Sequence, residues 1–198
     1  MARGAAKRLV VGISGASGAL LGVRLLEACR DLGLETHLVI SRAAALTLLE
    51  ETGLSPSDLT GRATIAYRPG DLAAVIASGS FPTLGMIIAP CSVRTMSEVA
   101  TGVTASLLTR AADVTLKERR RLVLLARESP LHLGHLRTMA ALTEMGAVIA
   151  PPVPAFYARP TNLTEIVDQC VGRALDLFGF DWPKVRRWRS DTAGKSGA

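Results

Sequence analysis

Residues 12–22 read GISGASGALLG, and this stretch decides the fold. It follows the apolar run Leu9–Val11 and precedes a helical pattern, so it joins a strand to a helix. Gly12, Gly15 and Gly18 recur every third residue, which is not the G-x-G-x-x-G spacing of dinucleotide-binding loops. Glycine lets backbone approach a ligand closely, and a helix start offers free N–H groups to an anion. Gly15, Ala16 and Ser17 are therefore candidate contacts. Tight strand–helix packing is the other use of such a loop.

Outward from this joint the chain alternates. Residues 8–14 read as a buried strand and 19–33 as a helix, with Arg24, Glu27 and Asp31 on its wet stripe. Residues 35–41 form a second strand, ending at Ser41, which is placed to cap a helix over 42–52. The region 53–83 is irregular apart from a short helix at 71–78. Further strands are predicted at 85–90, 121–127 and 147–152. Further helices run from Val93, over 105–120, over 131–146, and over 162–179 behind an Asn162…Glu165 capping pattern. Such alternation predicts one α/β domain, 1–198, whose parallel sheet is covered on both faces, with flexible ends at 1–7 and about 190–198. Ligands of these sheets sit beyond the carboxyl ends of the strands. Those ends read SGASG, ISRAA, APCSVRT, ARESP and APPVPAFY.

The second strand ends in Ser41 rather than in an acid that would grip a ribose, so a mononucleotide such as FMN fits better than NAD. In PCSVRT (90–95), Ser92, the Val93 backbone, Arg94 and Thr95 offer donors to a ring edge or a phosphate. Cys91 follows a proline, lacks a histidine partner and reads as a packed thiol. His132 and His135 read as cap or helix-face residues rather than metal ligands, and His37 as packing.

Composition bounds the classes. Apolar residues make up 48% and charged residues 20%, a globular balance, and no apolar run approaches the roughly 18 residues of a membrane span. The amino end imitates a signal peptide, but its apolar core is too short. Three separated cysteines fit reduced thiols in a cytoplasm. A net charge of +6 permits nucleic-acid binding, yet 4% aromatic content argues against a base-stacking surface.

GISGASG, PCSVRT, RAADVTLKERR, LARESPLHLGHL and PPVPAFYARP stand in the order and spacing of the UbiX-type flavin prenyltransferases, and the chain resembles that family from Arg8 to Trp188. The resemblance implies a flavodoxin-like Rossmann fold and a dodecamer built from trimers. It implies transfer of a dimethylallyl group from dimethylallyl monophosphate to N5 and C6 of reduced FMN, without a metal. The prenylated FMN then serves a UbiD-type decarboxylase. Carried over by motif, Ser41, Arg94, Arg110 and Arg127 join the flavin contacts, and Lys117, Arg127, Tyr157 and Arg173 hold the substrate phosphate. Ser17, Glu51 and Glu128 take the proton transfers, and Trp188 shields an allylic cation, with Trp182 as its competitor. Arg94 stands where related sequences often carry Lys, and Arg121 replaces a common proline, which is expected to add charge near the phosphate site. The rival readings are an FMN-dependent cysteine decarboxylase and a non-catalytic flavin carrier. The first wants a catalytic histidine and a PASANT-like loop, whereas this chain has PCSVRT and no histidine between His37 and His132.

Overall fold

A computed structural model describes residues 7–188. The ends expected to be flexible lie outside the described residues, apart from Lys7. Six strands, β1 (Arg8–Ile13), β2 (Glu35–Ile40), β3 (Ile65–Tyr67), β4 (Gly85–Cys91), β5 (Arg121–Ala126) and β6 (Val148–Ile149), pair in parallel in the order β3-β2-β1-β4-β5-β6. The helices are α1 (Ala19–Asp31), α2 (Arg42–Thr52), α3 (Pro56–Thr60), α4 (Val93–Ala100), α5 (Leu107–Lys117), α6 (Leu133–Glu144) and α7 (Leu163–Asp176). This is the flavodoxin-like arrangement with an added edge strand. Chain order reverses between β1 and β4, which opens a crevice at the carboxyl ends of those two strands.

Strand alternation sends successive side chains to opposite faces, and helices bury both. On one face Leu9, Val11 and Ile13 pack with Leu25 of α1 and with Val171 and Leu175 of α7. On the other, Val10, Ile88 and Leu124 pack with Met96 of α4 and Leu108 and Ala112 of α5. Trp182 belongs to the first core at 1% exposure and donates its indole N–H to Asp31 at 3.1 Å. That removes it from competition for a ligand site.

The structure corrects the expected elements between residues 53 and 83. The sequence there folds into α3, the three-residue edge strand β3 and a single 3-10 turn at Val75–Ala77, in place of a helix over 71–78. Only Ala74 and Ile76 of the 71–78 stretch are buried, so it lacks the apolar face whose packing would hold a short helix. The strand expected at 147–152 is also reduced, to Val148–Ile149, because Pro151 and Pro152 cannot donate to a ladder.

Candidate active site

The crevice between β1 and β4 holds a cleft of about 690 Å³. Gly15, Ala16, Ser17, Ser41, Ser92, Val93, Arg94, Thr95, Arg127 and Glu128 all border it. Sequence reasoning missed further walls: Pro69 and Gly70 in the turn after β3, and Ser106 and Thr109 at the start of α5. It also missed Arg42, the first residue of α2, although the rim segment ISRAA contains it. No ion-pair partner is recorded for Arg42 among the described residues.

The start of α1 is closed by an internal anion. Gly18 occupies the cap position with φ at +105°, a conformation suited to glycine, and supplies no side chain. Instead Glu51, in the last turn of α2, accepts the Gly18 and Ala19 amides on one carboxylate oxygen at 2.8 and 2.7 Å. Burial works to raise the Glu51 pKa. The Ser17 hydroxyl, the two amides and the nearby Arg127 guanidinium outweigh it, so the carboxyl is held below its ordinary range. Glu51 is therefore ionised at neutral pH, and Ser17 is its hydrogen-bonded neighbour. The sequence offered the α1 amides to an incoming anion; the protein has filled two of them itself.

α2 straddles this connection. At its amino end the Ser41 amide donates to the Ile13 carbonyl at 2.9 Å, and the Ser41 hydroxyl accepts from the Ala44 amide. Gly15 must be glycine here, because a Cβ would stand 2.4 Å from the Ala43 methyl. Close strand–helix packing is thus one real use of the loop.

The start of α4 is built differently. The Ser92 amide donates to the Ser14 hydroxyl at 2.7 Å, and the Ser14 hydroxyl donates to the Pro90 carbonyl at 3.0 Å. Ser92 in turn caps α4 by accepting the Thr95 amide at 3.2 Å. The first-turn amides of Val93 and Arg94 have no helical carbonyl to bond and stand at the cleft wall. Arg94 is largely exposed and pairs with Glu98 at 2.8 Å. Cys91 is fully buried, and burial pushes its thiol far up, as a packed thiol requires.

The remaining expected residues are not in this cleft within one chain. Arg110 is held by the Ala77 carbonyl at 3.2 Å and Asp113 at 2.7 Å. α5 meets the cleft at its amino end, as far as Thr109, whereas Lys117 ends the helix, roughly 12 Å farther along at 1.5 Å per residue. Lys117 pairs there with Glu118. Arg121 opens β5, at the sheet end opposite the cleft, and lies over Phe178. Within one chain Arg121 therefore adds no charge to this cleft; it stays beside Lys117 in sequence. Arg173 pairs with Asp176 and borders a separate groove of about 200 Å³ beside Pro151–Val153. Tyr157 meets Trp188 edge-on at 5.5 Å, and both are exposed, at 43% and 66%. His132 caps α6 by accepting the Gly134 amide, the cap duty its position suggested.

Residues 3–175 match the Flavoprotein family profile. The flavin prenyltransferase UbiX of Escherichia coli (strain K12) is 55% identical over 186 residues, covering 92% of this chain and 98% of that protein. A crystal structure of AnUbiX in complex with FMN and dimethylallyl pyrophosphate superposes with a TM-score of 0.91 at 48% identity, covering 92% and 97% of the two chains. A dodecameric FMN-dependent UbiX-like decarboxylase from Escherichia coli O157:H7 superposes with a TM-score of 0.90, also at 48% identity, covering 91% and 98%.

Proposed function

The chain belongs to the Flavoprotein family, in its branch of UbiX-type flavin prenyltransferases, and from that premise we propose how its cleft works. It transfers a dimethylallyl group to FMN, and family membership displaces the cysteine-decarboxylase and carrier readings. The cleft suits an anionic mononucleotide. Its volume of about 690 Å³ lies within the range of small-ligand sites, and helix-start amides and the guanidiniums of Arg42, Arg94 and Arg127 line it. Gly15, Ala16, Ser17, Ser41, Ser92, Val93, Arg94 and Thr95 would bind the flavin, with Arg110 steadying it or a subunit contact. Reduced FMN, when bound, supplies N5 and C6, the two atoms that receive the five-carbon unit.

This chain's residues do the rest. Loss of phosphate from dimethylallyl monophosphate builds negative charge on the departing oxygen, and fixed cations must meet it. Arg127 lines the cleft beside Glu128, with Arg42 and Arg94 also at its walls. Lys117, Tyr157 and Arg173 would enter from neighbouring copies in a homododecamer, the assembly that the E. coli O157:H7 relative's description names. Trp188, presented with Tyr157, would offer a π-face to the allylic cation. Glu51, held ionised, is suited to take the proton from C6, with Ser17 as relay, which leaves delivery to the alkene to Glu128. The prenylated FMN would pass to a UbiD-type decarboxylase in the cytoplasm.

The observation that carries this reading is the single cleft that joins the open start of α4 to Arg127 and Glu128, beside the ionised Glu51–Ser17 pair. The test incubates the protein anaerobically with reduced FMN and either dimethylallyl monophosphate or the pyrophosphate, then measures the flavin mass. A gain of one C5 unit, larger with the monophosphate, is expected; an unchanged mass with both donors overturns it. Mixing separately inactive Glu51→Gln and Lys117→Ala chains tests the shared site. Subunit exchange should restore part of the activity, and none would return if each copy worked alone.

A further inference from the structure

His37 is fully buried on β2, and the chemistry assigned above does not use it. It is more than packing, because both ring nitrogens are bonded. Nε2 lies 3.1 Å from Glu35 Oε1, and Nδ1 lies 2.8 Å from the Tyr67 hydroxyl. Arg8 donates to the same Glu35 oxygen at 3.0 Å, so that oxygen is an acceptor held by a cation. A carboxylate only accepts, so His37 carries its proton on Nε2, and the bare Nδ1 accepts from the Tyr67 O–H. Burial keeps the ring neutral against the pull of Glu35, as this tautomer requires. Phe81 closes the cluster, with its ring edge-on to His37 at 5.1 Å and beneath the Arg8 guanidinium at 4.9 Å.

Tyr67 is the last residue of the short edge strand β3. The chain turns immediately after it, with the Asp71 amide donating to the Arg68 carbonyl. Pro69 and Gly70 of that turn form one wall of the cleft, and the Pro69 carbonyl accepts from the Leu107 amide at the start of α5 at 2.8 Å. The turn is thus tied at one end to the α5 start and at the other to a buried hydrogen-bonded chain. β3 pairs with β2 over only three residues, and reciprocal Thr36–Thr64 bonds hold its start, which leaves the Tyr67 hydroxyl as the side-chain tie at its end.

We propose that Tyr67, held through its hydroxyl by buried His37, is a positioning residue that sets the 68–71 turn as a wall of the flavin cleft and so governs flavin affinity. Tyr67 lines an open groove that shares Arg42, Pro69 and Gly70 with the cleft but stands apart from Arg127 and Glu128, so it should act on binding and leave the prenyl-transfer step alone. This rests on the flavin reading of the cleft.

The test compares the wild-type chain with Tyr67→Phe, His37→Gln and the double variant. It reads FMN Kd from flavin fluorescence, KM and kcat with saturating dimethylallyl monophosphate, and Tm. Each single variant should weaken FMN binding about 5- to 20-fold while kcat at saturating FMN stays within about twofold. Since both variants break the His37–Tyr67 bond, the losses in FMN affinity should not multiply in the double variant. Unchanged FMN affinity in a folded Tyr67→Phe chain, multiplying losses, or a fall in kcat with unchanged KM would each overturn the proposal. Tyr67→Phe keeps its ring at a half-buried edge position and decides the matter alone if His37→Gln does not fold. A wild-type chain that fails to bind FMN refutes the flavin reading of the cleft itself, a result distinct from variants that bind as well as wild type.

Discussion

The amino ends of α1 and α4 stand side by side where the strand order reverses, and the protein treats them in opposite ways. α1 has no side-chain cap of its own and is stopped by Glu51, which arrives from 33 residues downstream and occupies the Gly18 and Ala19 amides. α4 is capped locally by Ser92, which Ser14 braces, so its Val93 and Arg94 amides remain for something outside the chain. Both are helix starts carrying the same partial positive charge. Which one takes a ligand is decided by whether an internal carboxylate gets there first. The closed start holds an ionised carboxylate, and the open start carries only its local Ser92 cap.

If that division is real, Glu51→Gln should lose turnover on the order of 100-fold or more while FMN affinity changes less than about threefold. The glutamine carbonyl still accepts the two amides, so α1 stays capped and only the acceptor of the proton is lost. Anaerobic single-turnover rates beside FMN titrations measure both. A parallel fall in FMN affinity would make α1's start a binding device and erase the contrast.

Gly15→Ala attacks the joint between the two regions. Its new methyl would meet the Ala43 methyl at 2.4 Å and the Ala43 carbonyl carbon at 3.0 Å, so backbone must move. A cost of about 1–3 kcal/mol is expected in urea unfolding, with FMN binding weakened as α2 is displaced. A variant as stable as wild type would show that α2 does not rest on the loop.

Legibility in the sequence follows the range of the forces involved. The Ser41 and Asn162 caps, the strands β1, β2, β4 and β5, and the rim segments are set by neighbours a few residues apart, and each was readable. The cleft lining followed, because the strand ends of a parallel sheet converge whatever their loops contain. Glu51 as the cap of α1 was not readable, since nothing near Gly18 specifies a partner 33 residues away. β3 was hidden for a related reason. Ile-Ala-Tyr is too short to show a period, and its partners lie on β2, in the parallel pairing and the His37–Tyr67 bond, about 30 residues earlier. Motif likeness supplied Lys117, Tyr157 and Arg173 but not their distance from Arg127, because the order of motifs along the chain does not fix how far apart they stand in the fold.

Ser92→Ala probes the open start. Losing the acceptor for the Thr95 amide should cost about 1 kcal/mol of stability. FMN affinity should fall about 5- to 10-fold as the first turn of α4 loosens, with kcat at saturation retained. Calorimetric FMN titration against a urea curve separates the two. A loss of kcat equal to that of Glu51→Gln would mean that both starts share the chemistry.

The smallest expected effect tests the sign of the closed start directly. The Glu51 pKa lies below its ordinary value of 4.5 in the folded protein, so the folded state favours the ionised form more than the unfolded chain does. Its contribution to stability should be complete above the unfolded pKa and vanish as pH falls through the lower folded value. Solvent exposure at this position screens the interaction, which keeps the contribution below about 1 kcal/mol. The Tm difference between wild type and Glu51→Gln should therefore be constant from about pH 6 to 8 and close below about pH 4. The glutamine chain cannot lose a charge it lacks, so its own curve should miss this step. A difference that persists undiminished into acid would mean that the α1 amides hold Glu51 as a neutral acceptor. The closed start would then stabilise no anion, and it would lose the feature that separates it from α4.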